Sequence, residues 1–358
     1  MNKYKIGLVP GPVSIPEEVR KAYLAEYGSP DLEEDFFELY EKNESMLQQI
    51  LGTKNKIAIM SGEAMSILWG ALKSTGSRGS KLLCVANGLF SFGFGEMGQD
   101  IGLNVETLDF GLNSIPDFNK VRDAARRFRP DIITAVHCET PSGTLTPLRE
   151  LGEISKEAGA VFIVDFVASG CGCPVDADKN NIDIGLLGSQ KVLSMPPHLS
   201  VATVSNRAWR QISGVNYAGY DALKPWREGV QNRYLPYTHD WHAMSALNVS
   251  LGMIMREGIE KVYERHERVA KICRDGAKAL GLELFPQNEE FCSPTVTAVK
   301  VPSNTNWKTL NDKLRAEGTA LGGNYGPLAG KVFRFGHMGA QAREDLVKSA
   351  LETLKKVL

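Results

Sequence analysis

No stretch of this 358-residue chain stays apolar for anything near the ~20 residues that a membrane-spanning helix needs, so no membrane partner is expected. Neither sign of charge dominates. The 41 lysines and arginines against 42 aspartates and glutamates leave a formal net charge of −1, which offers no electrostatic case for nucleic acid. Cysteine is sparse and scattered: Cys84, Cys138, Cys171, Cys173, Cys273 and Cys292. Cys171-Gly172-Cys173 has the wrong spacing for a zinc knuckle or a thioredoxin-type pair, so reduced and mostly buried thiols are expected. The histidines show no metal-ligand spacing, and low-complexity tracts and internal repeats are missing. The opening residues have no apolar core followed by a small-residue cleavage site, which makes the cytoplasm the expected location.

What is present is an ordinary soluble composition, 43% hydrophobic and 23% charged, in a chain long enough for a large core and a second domain. Short apolar runs at 57–60, 81–86, 105–110, 131–137, 161–165, 182–188 and 199–205 alternate with amphipathic stretches such as 118–128 and 148–158. That alternation predicts an α/β fold, a mainly parallel seven-stranded sheet between helices. The segment 241–281 reads as two helices broken near Gly258. Beyond it, strand 295–301, helix 307–317, strand 331–335 and helix 342–358 predict a small C-terminal α+β domain. The expected division is an N-terminal arm at 1–20, a large domain at 21–255 and a small domain at 256–358.

Chemistry concentrates where the apolar runs end. Val161-Phe162-Ile163-Val164 closes on Asp165, and the next run ends in Gly188-Ser189-Gln190-Lys191. A lysine amine for a Schiff base and a carboxylate for a pyridine nitrogen are what pyridoxal phosphate needs. Alone, each has an ordinary reading as a solvated lysine or a turn aspartate. Ser61-Gly62-Glu63-Ala64-Met65 opens a helix, whose free amides suit a phosphate. Glu63 there is either a first-turn acid favouring the helix dipole or a contact to cofactor or substrate. Phe90 could stack on a flat heterocycle or sit in the core. Gly93-Phe94-Gly95-Glu96-Met97-Gly98 fits the dinucleotide pattern but starts too far beyond the strand at 81–86, and is treated as a decoy. Arg334, in Val332-Phe333-Arg334-Phe335, needs an anion: a substrate carboxylate or an internal salt bridge.

Together these segments resemble the class V, fold-type I pyridoxal phosphate aminotransferases, in the branch of the alanine–glyoxylate and serine–pyruvate enzymes. The resemblance runs from Val9-Pro10-Gly11-Pro12 through Asn87-Gly88, His137 to Gly143, Val164-Asp165, Lys191 and Pro196-Pro197 to Arg334 and Gly339. It implies that Lys191 is the Schiff-base lysine and proton shuttle, that Asp165 binds the pyridine nitrogen, and that Phe90 stacks on the ring. It further implies Ser142 near the ring hydroxyl, Gly62, Glu63, Ala64 and Gln190 at the phosphate, Arg334 on the substrate carboxylate and Gly11 at the pocket edge. Tyr237 and Thr238 fall where relatives reach the phosphate of a neighbouring subunit, which implies a homodimer with shared active sites. The implied activity moves an amino group from a donor such as alanine or serine to a glyoxylate- or pyruvate-like 2-oxo acid. Glu63-Ala64, where the family usually has serine or threonine, resembles the pyridoxamine–pyruvate transaminases, which take the unphosphorylated vitamin as a substrate. Gln190 and Tyr325 depart from that subgroup. A cysteine desulfurase would carry His at position 190, and a nicotinamide dehydrogenase would rest on the decoy glycines alone.

Overall fold

In the computed structural model, which describes residues 3–358, all seven apolar runs are strands of one sheet. In chain order the strands are β1 (Ile6–Leu8), β2 (Lys56–Ser61), β3 (Lys81–Ala86), β4 (Asn104–Asp109), β5 (Ile132–Val136), β6 (Cys138–Glu139), β7 (Thr144–Leu145), β8 (Val161–Asp165), β9 (Ile184–Gly188), β10 (Leu199–Val204), β11 (Thr297–Lys300), β12 (Thr319–Leu321) and β13 (Val332–Phe335). The helices are α1 (Glu17–Ala22), α2 (Glu34–Leu51), α3 (Ala64–Thr75), α4 (Leu89–Asp100), α5 (Phe118–Phe128), α6 (Arg149–Ala158), α7 (Asn206–Val215), α8 (Trp241–Glu257), α9 (Ile259–Ala279), α10 (Trp307–Ala316) and α11 (Glu344–Val357).

The large sheet runs β2-β10-β9-β8-β5-β3-β4. Only β10 is antiparallel to its neighbours. Every residue of β5, β8, β9 and β10 is buried, as expected of strands covered on two faces, and their near-continuous Val, Ile and Leu content reflects it. Helices α3, α4 and α7 form one packed group on the sheet, α5 and α6 another. Polar caps set the helix starts. Asp117 accepts from Asn119 N and Lys120 N at the head of α5, and Asp240 from Ala243 N at the head of α8.

The register of β10 matters for the site. Leu199 lies opposite Ser61, and Ser200 opposite Gly188. The loop that starts α3 and the loop that carries Lys191 are thereby brought side by side.

Gly258, with φ of 92°, breaks α8 from α9 where the sequence places the break. Beyond it the side chains join a second core: Val269, Cys273, Leu310, Phe333, Phe335, Val347 and Leu354 pack together, with Trp307 stacked on Phe333 at 5.4 Å. Strand β11 pairs antiparallel with β13. Ile6 and Leu8 enter this same core, because β1, inside the segment read as an arm, pairs parallel with β12. Sequence pattern marks neither β1 nor β12, nor the β6–β7 hairpin; strands of two or three residues carry no usable periodicity. The glycines of the Gly93–Gly98 decoy lie inside α4, not at a strand–helix turn. They let the helix approach the sheet: a Cβ at Gly98 would stand 2.5 Å from Leu82 Cδ2, and one at Gly95 2.8 Å from Thr107 Oγ1.

Candidate active site

Strands β2, β3, β5, β8 and β9 are parallel, so the loops after them meet at one edge of the sheet, the usual ligand edge of α/β proteins. Past β9, Lys191 is half-buried and its Nζ donates to the Pro10 carbonyl at 2.5 Å. Burial, followed by the nearby Arg334 cation, lowers its pKa to about 8. Gly11 makes room for that side chain. Its φ is +107°, and a Cβ there would stand 2.6 Å from Lys191 Cδ and 2.7 Å from Nζ.

Asp165, at the end of β8, is buried, and its Oδ1 accepts from Val167 N at 2.7 Å. Burial raises its pKa to about 7 against the pull of that hydrogen bond, with the charge of Glu139 adding to the rise and Lys191 opposing it. Glu139 is itself fully buried and caps α4: its Oε2 accepts from Phe90 N at 3.1 Å and its Oε1 from Ser91 N at 2.7 Å. This carboxylate seats Phe90. It also explains Gly88, where a Cβ would stand 2.2 Å from Glu139 Cδ. His137 shares a hydrogen bond between Nδ1 and Ser169 Oγ at 2.9 Å, and burial drops its pKa to about 4, so the ring is neutral.

The start of α3 is capped by Glu63. Its Oε2 accepts from Met65 N at 2.8 Å, and its Oε1 accepts from Gln190 Nε2. The side chain is exposed. Gly62, with φ of 137°, makes the turn into this cap.

Seven of the residues singled out from sequence line one cavity of about 310 Å³: Gly11, Glu63, Ala64, Phe90, Asp165, Gln190 and Lys191. Arg334 opens on an adjoining cavity of about 340 Å³ that shares Gly11, Phe90, Thr140 and Lys191 with the first. Its guanidinium meets only carbonyl oxygens, with Nε 3.0 Å from Gly323 O and Nη1 3.4 Å from Thr140 O, and lies 5.9 Å from the Tyr325 ring centre. Desolvation lowers its pKa to about 10.

Four of the singled-out residues do not line these cavities. Gly62 acts through the turn. Ser142 is fully buried, with its hydroxyl 3.0 Å from Thr144 Oγ1, because the 139–143 turn, closed by Gly143 N on Glu139 O, directs it inward. Tyr237 OH accepts from Ser61 N at 3.0 Å, and Thr238 donates to Asp31 at 3.0 Å. Sequence reading missed Cys138, Thr140, Met65, Leu68 and Val167, which line the main cavity. Thr140 and Cys138 fall inside the His137–Gly143 segment already marked, but nothing in a turn sequence shows which of its side chains faces the cavity.

The arrangement offers a lysine of lowered proton affinity, a buried carboxyl without an ion pair among the described residues, an aromatic side chain on the same cavity and an arginine whose hydrogen bonds go to carbonyls. Comparison with known proteins gives a matching picture. The family profile described as "Aminotransferase class-V" matches residues 11–329. An aminotransferase of Methanocaldococcus jannaschii is 33% identical over 96% of this chain and 90% of its own length. The pyridoxamine–pyruvate transaminase of Mesorhizobium japonicum is 31% identical over 98% of this chain and 90% of its own. Among solved structures, an alanine–glyoxylate aminotransferase from Nostoc superposes with a TM-score of 0.94 at 26% identity, over 99% of this chain and 95% of that one.

Proposed function

Because this chain belongs to the class-V aminotransferases, enzymes that depend on pyridoxal phosphate, we propose that it moves an amino group from a small donor, alanine- or serine-like, to a glyoxylate- or pyruvate-like 2-oxo acid. The observation that carries this reading is the meeting of Lys191 and Asp165 in one cavity, with the unpaired guanidinium of Arg334 opening on Lys191 from beside it.

The residues present fit the cofactor's ring. Asp165 is a buried carboxyl that makes no ion pair among the described residues, and a protonated pyridine nitrogen is the partner it suits. Lys191, on the wall of the same cavity, would hold the aldehyde through its Nζ. When bound, the cofactor supplies an electron sink for the bonds to the substrate Cα. Asp165 then keeps a proton on the ring nitrogen. Lys191 Nζ, with proton affinity lowered into the working range of a general base, would take the proton from the donor's Cα and, in the return half, deliver one to the acceptor's Cα. Arg334 can turn its fork from the Gly323 and Thr140 carbonyls to the substrate carboxylate, which fixes the Cα over Lys191. Glu139 holds the backbone of Phe90, whose ring would stack on the cofactor, and Leu68 and Val167 would help keep water from the reacting carbon. The working form is a cytoplasmic homodimer in which Tyr237 and Thr238 face the partner's cofactor.

The test is spectral. Purified protein absorbs above about 400 nm through its bound cofactor; L-alanine or L-serine added alone bleaches the band, and glyoxylate or pyruvate restores it. A band unmoved by every small amino acid defeats the reading.

A second reading, in which an unphosphorylated B6 vitamer comes and goes as co-substrate, is favoured by one feature. Glu63 places a carboxylate on the Met65 amide, where a phosphate would bind. Protein purified without that absorbance, yet binding free pyridoxal, would select it.

A further inference from the structure

We propose that the cavity beside Lys191 holds a second carboxylate subsite at Arg315, so that one half of the amino exchange takes a dicarboxylic amino or 2-oxo acid. The inference rests on the transaminase reading and goes beyond it by replacing one of its two small substrates with a diacid.

The 340 Å³ cavity is lined by Lys191 and by two arginines, Arg334 and Arg315, and among the described residues no aspartate or glutamate lines it. The two arginines come from different elements. Arg334 is on β13, while Arg315 is on the last turn of α10. Among the described residues, neither pairs with a carboxylate. Arg334 meets only carbonyls. Arg315 stacks its guanidinium 4.7 Å from the Tyr4 ring centre and donates from Nε to Asn311 Oδ1 at 3.3 Å, an amide where an acid would have neutralised it. The acids nearest in sequence are taken elsewhere: Asp312 pairs with Lys308 at 2.9 Å and Glu317 with Lys356 at 2.7 Å.

A cation at a helix C-terminus is favoured by the dipole, and that accounts for an arginine at position 315. It does not account for the residue's place on the wall of the cavity that Lys191 and Arg334 also line. A monocarboxylate would neutralise Arg334 alone and leave the rest of the space empty. A four- or five-carbon diacid would put its α-carboxylate on Arg334 and its distal carboxylate on Arg315. Arg315 is exposed, so it acts at the rim, selecting and orienting a second charge rather than anchoring the first. The exchange balances: the donor Cα gives up its amino group, a proton and an electron pair and takes its carbonyl oxygen from water, while the acceptor carbonyl carbon receives them and loses its oxygen as water. No outside oxidant is needed.

The test uses the holoenzyme. The ratio of kcat/KM for L-aspartate or L-glutamate to that for L-alanine is measured in the native protein, in Arg315→Ala and in Arg315→Lys. The ratio is expected to fall about fivefold or more in R315A, through KM, and to be partly restored in R315K. Independently of turnover, succinate binds native holoenzyme more tightly than propionate by calorimetry, and R315A narrows the gap. A ratio constant within twofold, or succinate no tighter than propionate, overturns the subsite. Alanine turnover without any acidic preference refutes this inference alone. Absence of transfer with every pair refutes the transaminase reading, and the succinate comparison still decides the subsite.

Discussion

Replacing Asp165 by Asn should make the cofactor-free protein more stable in alkali. The native carboxyl is buried beside Glu139 and titrates near 7, whereas an ordinary aspartate titrates near 3.8. The folded state therefore holds a proton that the unfolded chain has released. The stability linked to that proton is complete below pH 3.8, declines through the interval, and is gone above 7. At about 1.4 kcal/mol per pH unit, the decline is on the order of 4 kcal/mol in all, of which about 2 kcal/mol lies between pH 5 and pH 7. Asparagine removes the ionisation while its Oδ1 still accepts from Val167 N. His137, His266 and His337, lowered to about 4, 4 and 3 by burial, act with the opposite sign. Each is neutral when folded and charged when unfolded in acid, so each removes stability as pH falls below about 6.5. A raw pH profile therefore mixes both effects, but the difference between native and D165N protein cancels the histidines. Urea unfolding of both apo-proteins at pH 5, 6, 7 and 8.5 should show D165N gaining relative stability with pH and levelling off above 7. A difference that does not change between pH 5 and pH 8.5 would show that Asp165 is not a raised carboxyl, and the electrostatic basis of the site would fall with it.

Gly11→Ala should leave the protein folded but disturb the lysine. The +107° φ costs a Cβ residue about 1–3 kcal/mol, and Lys191 must move, so borohydride labelling at Lys191 should drop while the melting curve shifts only modestly. Glu139→Gln turns an amide toward one of the two helix-start N–H groups. A loss of about 1–3 kcal/mol is expected, with weaker cofactor binding by fluorescence titration as Phe90 loses its seat. Glu63→Ser frees the Met65 amide from a carboxylate, and its Kd for pyridoxal phosphate relative to pyridoxal should fall. An unchanged ratio would mean that Glu63 does not govern the phosphate end.

The seven strands of the large sheet and the break at Gly258 were legible because buried strands are near-continuous apolar runs and helices alternate with them at regular length. Lys191, Asp165 and Arg334 were legible because a charge at the end of, or within, an apolar run is costly unless chemistry uses it. Glu139 stood in plain view inside a marked segment, yet its role as a cap depended on where α4 begins in space. Ser142 and Thr140 sit two residues apart, and only the turn geometry decides that Thr140 lines the cavity while Ser142 turns inward. The pairing of Ile6–Leu8 with Thr319–Leu321 joins the two ends of the chain and leaves no trace in local periodicity.

Local pattern thus determined which segments are strands and helices, and which charged residues stand at strand ends. The tertiary structure decided which of them share a cavity, which carboxylates cap helices, and that Arg315 stands on the wall beside Arg334. Burial and periodicity act between neighbours along the chain, whereas a binding site is a meeting of loops whose only common property is the sheet edge that gathers them.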